Sequence, residues 1–253
     1  MCILFLAINQ HPDHPLIICA NRDEFYKRPT LGAHFWPNKP HLLAGKDLQA
    51  GGSWLGVNTH QQFAAITNIR TGSKQSPAKK SRGELVTLAL EPNSFIDINW
   101  LKQHSDEYNP FNLIYGSLNQ LNCYNSLLKQ QTSLTSGFHA ISNGSLDDIW
   151  PKMAKGESRL EKIVSSTQTI NSDELFAILK DSTQADDSQL PNTGVPLEWE
   201  RKLSSIFINS PEYGTRSSCI ILQNKHDVIE FIEQTYDTNG NDGEQDSFTL
   251  RTK

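Results

Sequence analysis

Long apolar runs are missing from this 253-residue chain, and none approaches the roughly 18–20 residues that a membrane-spanning helix needs. Positive charge is not in excess either. Lys and Arg number 23 against 28 Asp and Glu, a formal net charge of −5, whereas binding to phosphate backbones calls for a basic footprint. Nucleic acid is therefore not the default partner, and the short basic stretch Lys74–Arg82 reads as a solvated loop. Cysteine is sparse. Cys2, Cys19, Cys123 and Cys219 form no CxxC or CxxCH, which argues against zinc ribbons and covalent haem attachment. The histidines make no HExxH. His11 and His14 bracket Pro12-Asp13, and His34 and His41 flank Pro37 and Pro40, so no metal site is predicted. No internal repeat is visible.

With 37% hydrophobic and 20% charged residues, the chain has a globular composition, neither disordered nor membranous. It is long enough for one large domain, read here as spanning 1–253. The opening Met1-Cys2-Ile3-Leu4-Phe5-Leu6-Ala7-Ile8 is apolar. It lacks a basic lead-in and a small-residue cleavage site, so it reads as a strand rather than a signal peptide. That predicts a cytoplasmic protein with reduced thiols.

Cys2–Ile8 has the length and continuity of a covered strand. Leu16–Ala20 follows the His11–Pro15 punctuation as its hairpin partner, and the polar tetrad Asn21-Arg22-Asp23-Glu24 comes directly after it. Gly51-Gly52 opens Ser53–Val57, paired with Gln62–Asn68. The glycines mark a turn or close backbone approach rather than a phosphate loop. Ser81 and Glu84 have capping-box spacing before a helix over Leu85–Leu90. Further helices are predicted at Ser94–His104, Lys152–Ser165 and Asp173–Lys180, the last capped by Asn171. Strands are predicted at Phe111–Gly116, Asn122–Leu128, Phe138–Ser142, Ser217–Leu222 and Val228–Gln234. Ser182–Thr193 reads as a loop and Asn239–Asp246 as a polar turn. Segregated runs of strands and helices indicate an α+β fold.

Cys2 carries the chemistry. Removal of Met1 would expose an α-amine with a pKa of roughly 7.7–8, against roughly 10.4 for lysine, on the same residue as a thiol. Nucleophile and general base then reside in one residue. A cysteine in an apolar strand is equally a small packing residue. In a hairpin, however, the far end of the second strand lies beside the start of the first, which brings Arg22 and Asp23 near Cys2. The carboxylate can hold an ammonium, and the guanidinium can lower the thiol pKa or orient a substrate carbonyl. The alternative is an ordinary strand-end ion pair.

Met1-Cys2 with Asn21-Arg22-Asp23-Glu24 resembles the NRDE family, that of transport and Golgi organisation protein 2. So do Gly51-Gly52-Ser53-Trp54-Leu55-Gly56, Thr67-Asn68, Ser81-Arg82-Gly83, Phe111-Asn112-Leu113, Ser142-Asn143-Gly144 with Trp150-Pro151-Lys152, and Tyr213-Gly214-Thr215-Arg216-Ser217-Ser218, all in order along the chain. The family resembles N-terminal-nucleophile hydrolases, which implies a four-layer αββα sandwich. The resemblance implies a catalytic set of Cys2, Arg22, Asp23, Asn68, Asn143 and Arg216, with the two asparagines as oxyanion donors. Asn143-Gly144 is also a turn signal, Asn68 also a strand end, and Trp54 also a core residue. Cys19, Cys123 and Cys219 read as packing.

Two functions follow from the resemblance. The first, preferred on the sequence, is haem binding and trafficking between donor and acceptor proteins, with haem as cargo rather than catalytic cofactor. Phe35, Trp36 and Trp54 would form an aromatic wall and Arg22, Arg70 and Arg216 a rim for the propionates. The second is an N-terminal cysteine amidohydrolase acting on an amide or acyl substrate, which requires that Met1 be removed.

Overall fold

The computed structural model describes residues 2–73 and 75–251. They fall into two compact units, one made of the segments up to Lys27 and from Thr135 onward, the other of Arg28–Leu134.

The first unit is built on β1 (Cys2–Ile8), β2 (Leu16–Phe25), β10 (Gly137–Ile141), β11 (Tyr213–Gln223), β12 (Ile229–Tyr236) and β13 (Asp242–Leu250), with helices α3 (Pro151–Ser166), α4 (Ser172–Leu179) and α5 (Leu197–Lys202). Its sheet runs β10-β1-β2-β11-β12-β13. β1 and β2 form the expected hairpin, with Ile8 opposite Leu16 and Cys2 opposite Arg22. The His11 ring closes its turn by accepting from the Asp13 and His14 amides at 3.2 Å each.

Alternation along the strands sends Ile3, Phe5, Ala7, Ile17, Cys19, Ile220 and Leu222 into one core with Met153, Leu160 and Val164 of α3 and Leu175, Ile178 and Leu179 of α4. The α3 residues recur at helical spacing. α4 begins where Asn171 caps it, its side chain accepting from the Asp173 amide at 2.9 Å. The opposite face of β1, carrying Leu4 and Leu6, is also buried, which is why the strand reads as an unbroken apolar run.

The second unit holds the sheet β3-β4-β5-β6-β7-β8-β9. Its strands are β3 (Thr30–Trp36), β4 (Lys39–Asp47), β5 (Leu55–Asn58), β6 (Gln62–Asn68), β7 (Phe111–Ser117), β8 (Gln120–Asn125) and β9 (Gln130–Ser133). Helices α1 (Gly83–Ala89) and α2 (Ile98–His104) supply Leu85, Val86, Leu90 and Leu101 to a core with Leu42, Ala64, Ile66, Phe111 and Leu113. Gly51 adopts φ +77°, and a Cβ on Gly52 would come within 2.4 Å of the Gly83 backbone. Turn and close approach are thus both realised there.

Several boundaries move. β2 runs on to Phe25 because it is laddered on both sides, to β1 and to β11. The tetrad Asn21–Glu24 therefore lies inside the strand, not after it. α2 starts at Ile98 rather than Ser94, since the Asp97 side chain caps it at Trp100 N, 2.7 Å. Ser81 does not cap α1, whose N-cap is Arg82 without a side-chain cap bond. β8 ends at Asn125, whose side chain accepts from the Leu127 and Leu128 amides and turns the chain. The polar segment 242–246 belongs to β13, an edge strand that tolerates charge on its exposed faces. Strands β3, β4 and β9 and helix α5 were not anticipated. Pro37 and Pro40 hide the β3–β4 hairpin, whose register shifts between Phe35 and Trp36, an irregularity that accommodates proline. Among the described residues no helix is long and apolar enough to cross a membrane.

Candidate functional site

The candidate site is a row of side chains across adjacent strands of the first unit. Cys2 on β1 stands directly opposite Arg22 on β2, and Arg22 stands opposite Ser217 on β11. On the other side of β1, β10 pairs antiparallel with Leu4 opposite Ile141. Extending that register by two residues places Asn143 alongside Cys2. The Ser142 hydroxyl donates to the Cys2 carbonyl at 3.1 Å and to Asn143 Oδ1 at 3.3 Å, which fastens the end of β10 to the start of β1. Partners directly opposite in a ladder share a face, so this row lies on the face turned away from the α3 and α4 core.

The row is enclosed. Cys2 is 8% exposed, Arg22 5%, Asn143 1% and Ser217 4%. Burial pushes the Cys2 thiol above its ordinary pKa, and the negative charge of Asp23 pushes the same way. The Arg22 guanidinium and a hydrogen bond from the Asp23 backbone pull it down without prevailing. The resting thiol is therefore protonated at neutral pH, and a base must act before it can attack.

Asp23 points to the helix side of β2, and it is 1% exposed. Thr215 holds it: the Thr215 hydroxyl donates to Asp23 Oδ1 at 2.8 Å and accepts from the Ile208 amide at 2.9 Å. Burial raises the Asp23 pKa, against the opposing pull of Lys152, Thr215 and Arg22. Lys152, in the first turn of α3 and 4% exposed, also lines a cavity of about 310 Å³ with Thr183, Gln184 and Ser204.

Arg216 occupies the bulge on β11 where the register to β2 shifts between Thr215 and Ser217. Its Nη1 donates to the Phe25 and Tyr26 carbonyls at 3.2 Å each, and its guanidinium lies 5.8 Å from the Tyr26 ring centre. It clamps the end of β2 with these bonds. Asn68, Trp54 and Arg70 belong to the second unit. Asn68 ends β6 opposite Phe111, and Arg70 follows it. The Trp54 ring lies so close to Gly45 that a Cβ there would come within 2.2 Å of it, which is packing. Trp36 does not form an open aromatic wall: it is 3% exposed, and its indole donates to the Ala44 carbonyl at 3.0 Å.

The first unit thus brings Cys2, Arg22, Asp23 and Asn143 to one sheet end. Reasoning from the sequence missed Thr215, Ser217, Ser142 and Lys152 as site residues. Each stands within a block already noted, but only the strand register and the bulge assign them places. The remaining thiols are buried: Cys19 is pushed up to about 12 by burial, and Cys219 donates to Glu233 Oε1 at 3.5 Å. No group of three or more His, Cys, Asp or Glu arranged to hold a metal occurs among the described residues.

The family model described as Transport and Golgi organisation 2 matches residues 1–238. The human Transport and Golgi organization protein 2 homolog is 33% identical over 259 residues, covering 93% of each chain. The mouse homolog is 31% identical over 258 residues, again with 93% of each covered. Among solved structures, the C2A mutant of conjugated bile acid hydrolase from Clostridium perfringens superimposes with a TM-score of 0.55 at 9% identity, over 98% of this chain and 92% of that one. Another variant of the same hydrolase gives 0.52 at 10% identity, over 99% and 98%. At such identities the likeness establishes an N-terminal-nucleophile hydrolase fold and leaves the chemistry to the residues themselves.

Proposed function

The chain belongs to the Transport and Golgi organisation 2 family, and we propose that it acts as an N-terminal cysteine amidohydrolase on an amide or related acyl substrate once Met1 is removed. Met1 lies outside the described residues. The observation that carries this reading is the placement of Cys2 opposite Arg22, with the Asp23 backbone hydrogen-bonding the sulfur.

The α-amine of a processed Cys2 takes the thiol proton, and Asp23, one residue beyond Arg22 on β2, stabilises the ammonium that results. The thiolate then attacks the carbonyl carbon, forming a C–S bond. Asn143 donates to the oxyanion as the tetrahedral intermediate develops. The C–N bond breaks as the ammonium returns its proton to the leaving amine. Water hydrolyses the thioester, with the α-amine again as base. The raised thiol pKa fits this sequence, because the proton moves to a base on the same residue rather than being lost at rest.

Intact mass of the natively produced protein tests the premise, and acyl-substrate burst kinetics test the chemistry. Removal of Met1 with a stoichiometric burst is expected. Cys2→Ala abolishes the burst, a fall of at least about 10³-fold in kcat/KM, and leaves the melting curve in place. An unchanged hydrolysis rate in that variant removes Cys2 from the mechanism.

The second reading, a haem carrier in the cytoplasm passing cargo between donor and acceptor proteins, is favoured by one observation: the burial of Cys2 suits a fold that has kept its polar row without using it as a nucleophile. Haem titration followed by transfer to an apo-acceptor tests it. Tight uptake and transfer, with Met1 retained and no burst, would put the carrier first.

A further inference from the structure

Four hydroxyl-bearing side chains stand on β11 at Tyr213, Thr215, Ser217 and Ser218, and three are hydrogen-bonded. Tyr213 donates to the Asp23 carbonyl at 3.1 Å. Thr215 bonds Asp23 and the Ile208 amide. Ser218 donates to Asn21 Oδ1 at 2.5 Å and accepts from the Tyr236 hydroxyl at 2.9 Å. Ser217 differs: its Oγ is buried without a hydrogen-bond partner among the described residues, and such groups are rare because the lost hydration is not replaced.

The bulge puts it there. In a regular strand residues 215 and 217 share a face. The extra residue, Arg216, sets Thr215 opposite Asp23 and Ser217 opposite Arg22, on opposite faces of the sheet. Ser217 therefore joins the row Asn143, Cys2, Arg22, Ser217, opposite Arg22 and two strands from Cys2.

We propose that Arg22 and Ser217 form a carboxylate-binding subsite, so that the substrate presents a carboxylate on the β11 side of the carbonyl offered to Cys2. This rests on the hydrolase reading and adds to it a substrate class: monoamides of short dicarboxylic acids. A carboxylate matches a cation and a hydroxyl donor on adjacent strands, one oxygen to each. The reach follows from strand spacing. Two spacings are about 9.6 Å. Removing about 3 Å for the approach of sulfur to carbon and about 2.8 Å for a hydrogen bond leaves about 4 Å. That is about the distance from the carbonyl carbon to the far carboxylate oxygens in a diacid of three or four carbons.

The probes are N-methylsuccinamate and its uncharged counterpart N-methylbutanamide, titrated calorimetrically at pH 7 into the full chain with its native N-terminus, with methylamine release followed in parallel. Wild type is expected to bind the succinamate at least about tenfold more tightly than the butanamide. Ser217→Ala brings that ratio below about threefold, and Ser217→Thr, which keeps the hydroxyl, retains most of it. The melting temperature of Ser217→Ala should not fall, since no protein hydrogen bond is lost; a merely structural hydroxyl would lower it. Equal binding of the two probes, binding of neither, or an unchanged ratio in Ser217→Ala overturns the subsite. Preferential, Ser217-dependent binding without methylamine release supports the subsite and overturns the hydrolase reading. Release without preference does the reverse.

Discussion

Two aspartates in the first unit meet cationic neighbours and end in opposite electrostatic states. Asp23 sits inside β2, 1% exposed, and burial raises its pKa despite Lys152, Thr215 and Arg22. Asp181 follows α4 with its side chain 9% exposed, ion-paired to Lys155 at 2.7 Å and Arg159 at 3.0 Å. Burial opposes ionisation there too, but the hydrogen bonds from Lys155 and Thr183 win and lower its pKa to about 2. The difference is one of solvation. Asp181 keeps one side toward water and gathers its donors at direct bonding distance. Asp23 has surrendered water for the Thr215 hydroxyl and for charges that do not fully compensate. A carboxylate whose ionised form is under-stabilised can respond to a charge arising beside it, which is what a positioning group for an ammonium must do.

Replacing each aspartate by asparagine should therefore split the two. Asp23→Asn keeps the Thr215 bond, because the amide oxygen still accepts, and removes the charge. The expected result is a fall of about 10²- to 10³-fold in acyl-substrate kcat/KM with no loss of stability at pH 7. The sign follows from linkage. A carboxylate with a raised folded pKa contributes stability fully present below its unfolded pKa of about 3.9 and lost as pH rises through the folded value. At pH 7 the charge of Asp23 is a cost that asparagine relieves. A denaturation midpoint that drops in Asp23→Asn would make this a structural aspartate like Asp181.

Thr215→Val sharpens the same contrast with a smaller effect. It is isosteric, but it strips Asp23 of its hydroxyl donor and leaves the Ile208 amide unpaired. The loss expected in stability is about 1–3 kcal/mol, and the acid limb of the pH–rate profile should move upward because the Asp23 pKa rises further. A melting curve and profile both matching wild type would remove Thr215 from the site.

How far the site could be read before the structure follows from the same residues. Hairpin geometry alone brought Cys2 beside Arg22, since an uninterrupted apolar pair with a turn at His11–Pro15 fixes the register within a residue or two. The hydrolase fold came from the resemblance of ordered blocks and not from periodicity, which gave only α+β. Thr215 and Ser217 were beyond reach because their roles depend on a one-residue bulge at Arg216, and nothing local in Gly214-Thr215-Arg216-Ser217 distinguishes a bulge from a regular strand. β13 was misread for a related reason: an edge strand exposed over Asp242–Gln245 carries the composition of a turn. Lys152 gives no signal of burial, because a lysine in the first turn of a helix is ordinarily solvated.

The smallest effect belongs to Asp181→Asn, and it is read through pH. With a folded pKa of about 2, Asp181 contributes stability that is present above its unfolded pKa of about 3.9 and lost as pH falls through the folded value. The Lys155 and Arg159 side chains are 44% and 39% exposed, so solvent screening reduces the contribution to about 1 kcal/mol. In a chain of this size that corresponds to a fall of about 2–4 °C in Tm. The wild type–variant difference should therefore hold constant from pH 7 to pH 5 and shrink between pH 4 and pH 2, while hydrolysis at pH 7 stays at the wild-type rate. Asp23→Asn should show the mirror image, most stable relative to wild type at pH 7 and converging on it in acid. If the two difference curves run in the same direction, the two carboxylates are not opposites, and Asp23 loses the property that marks it as part of the site.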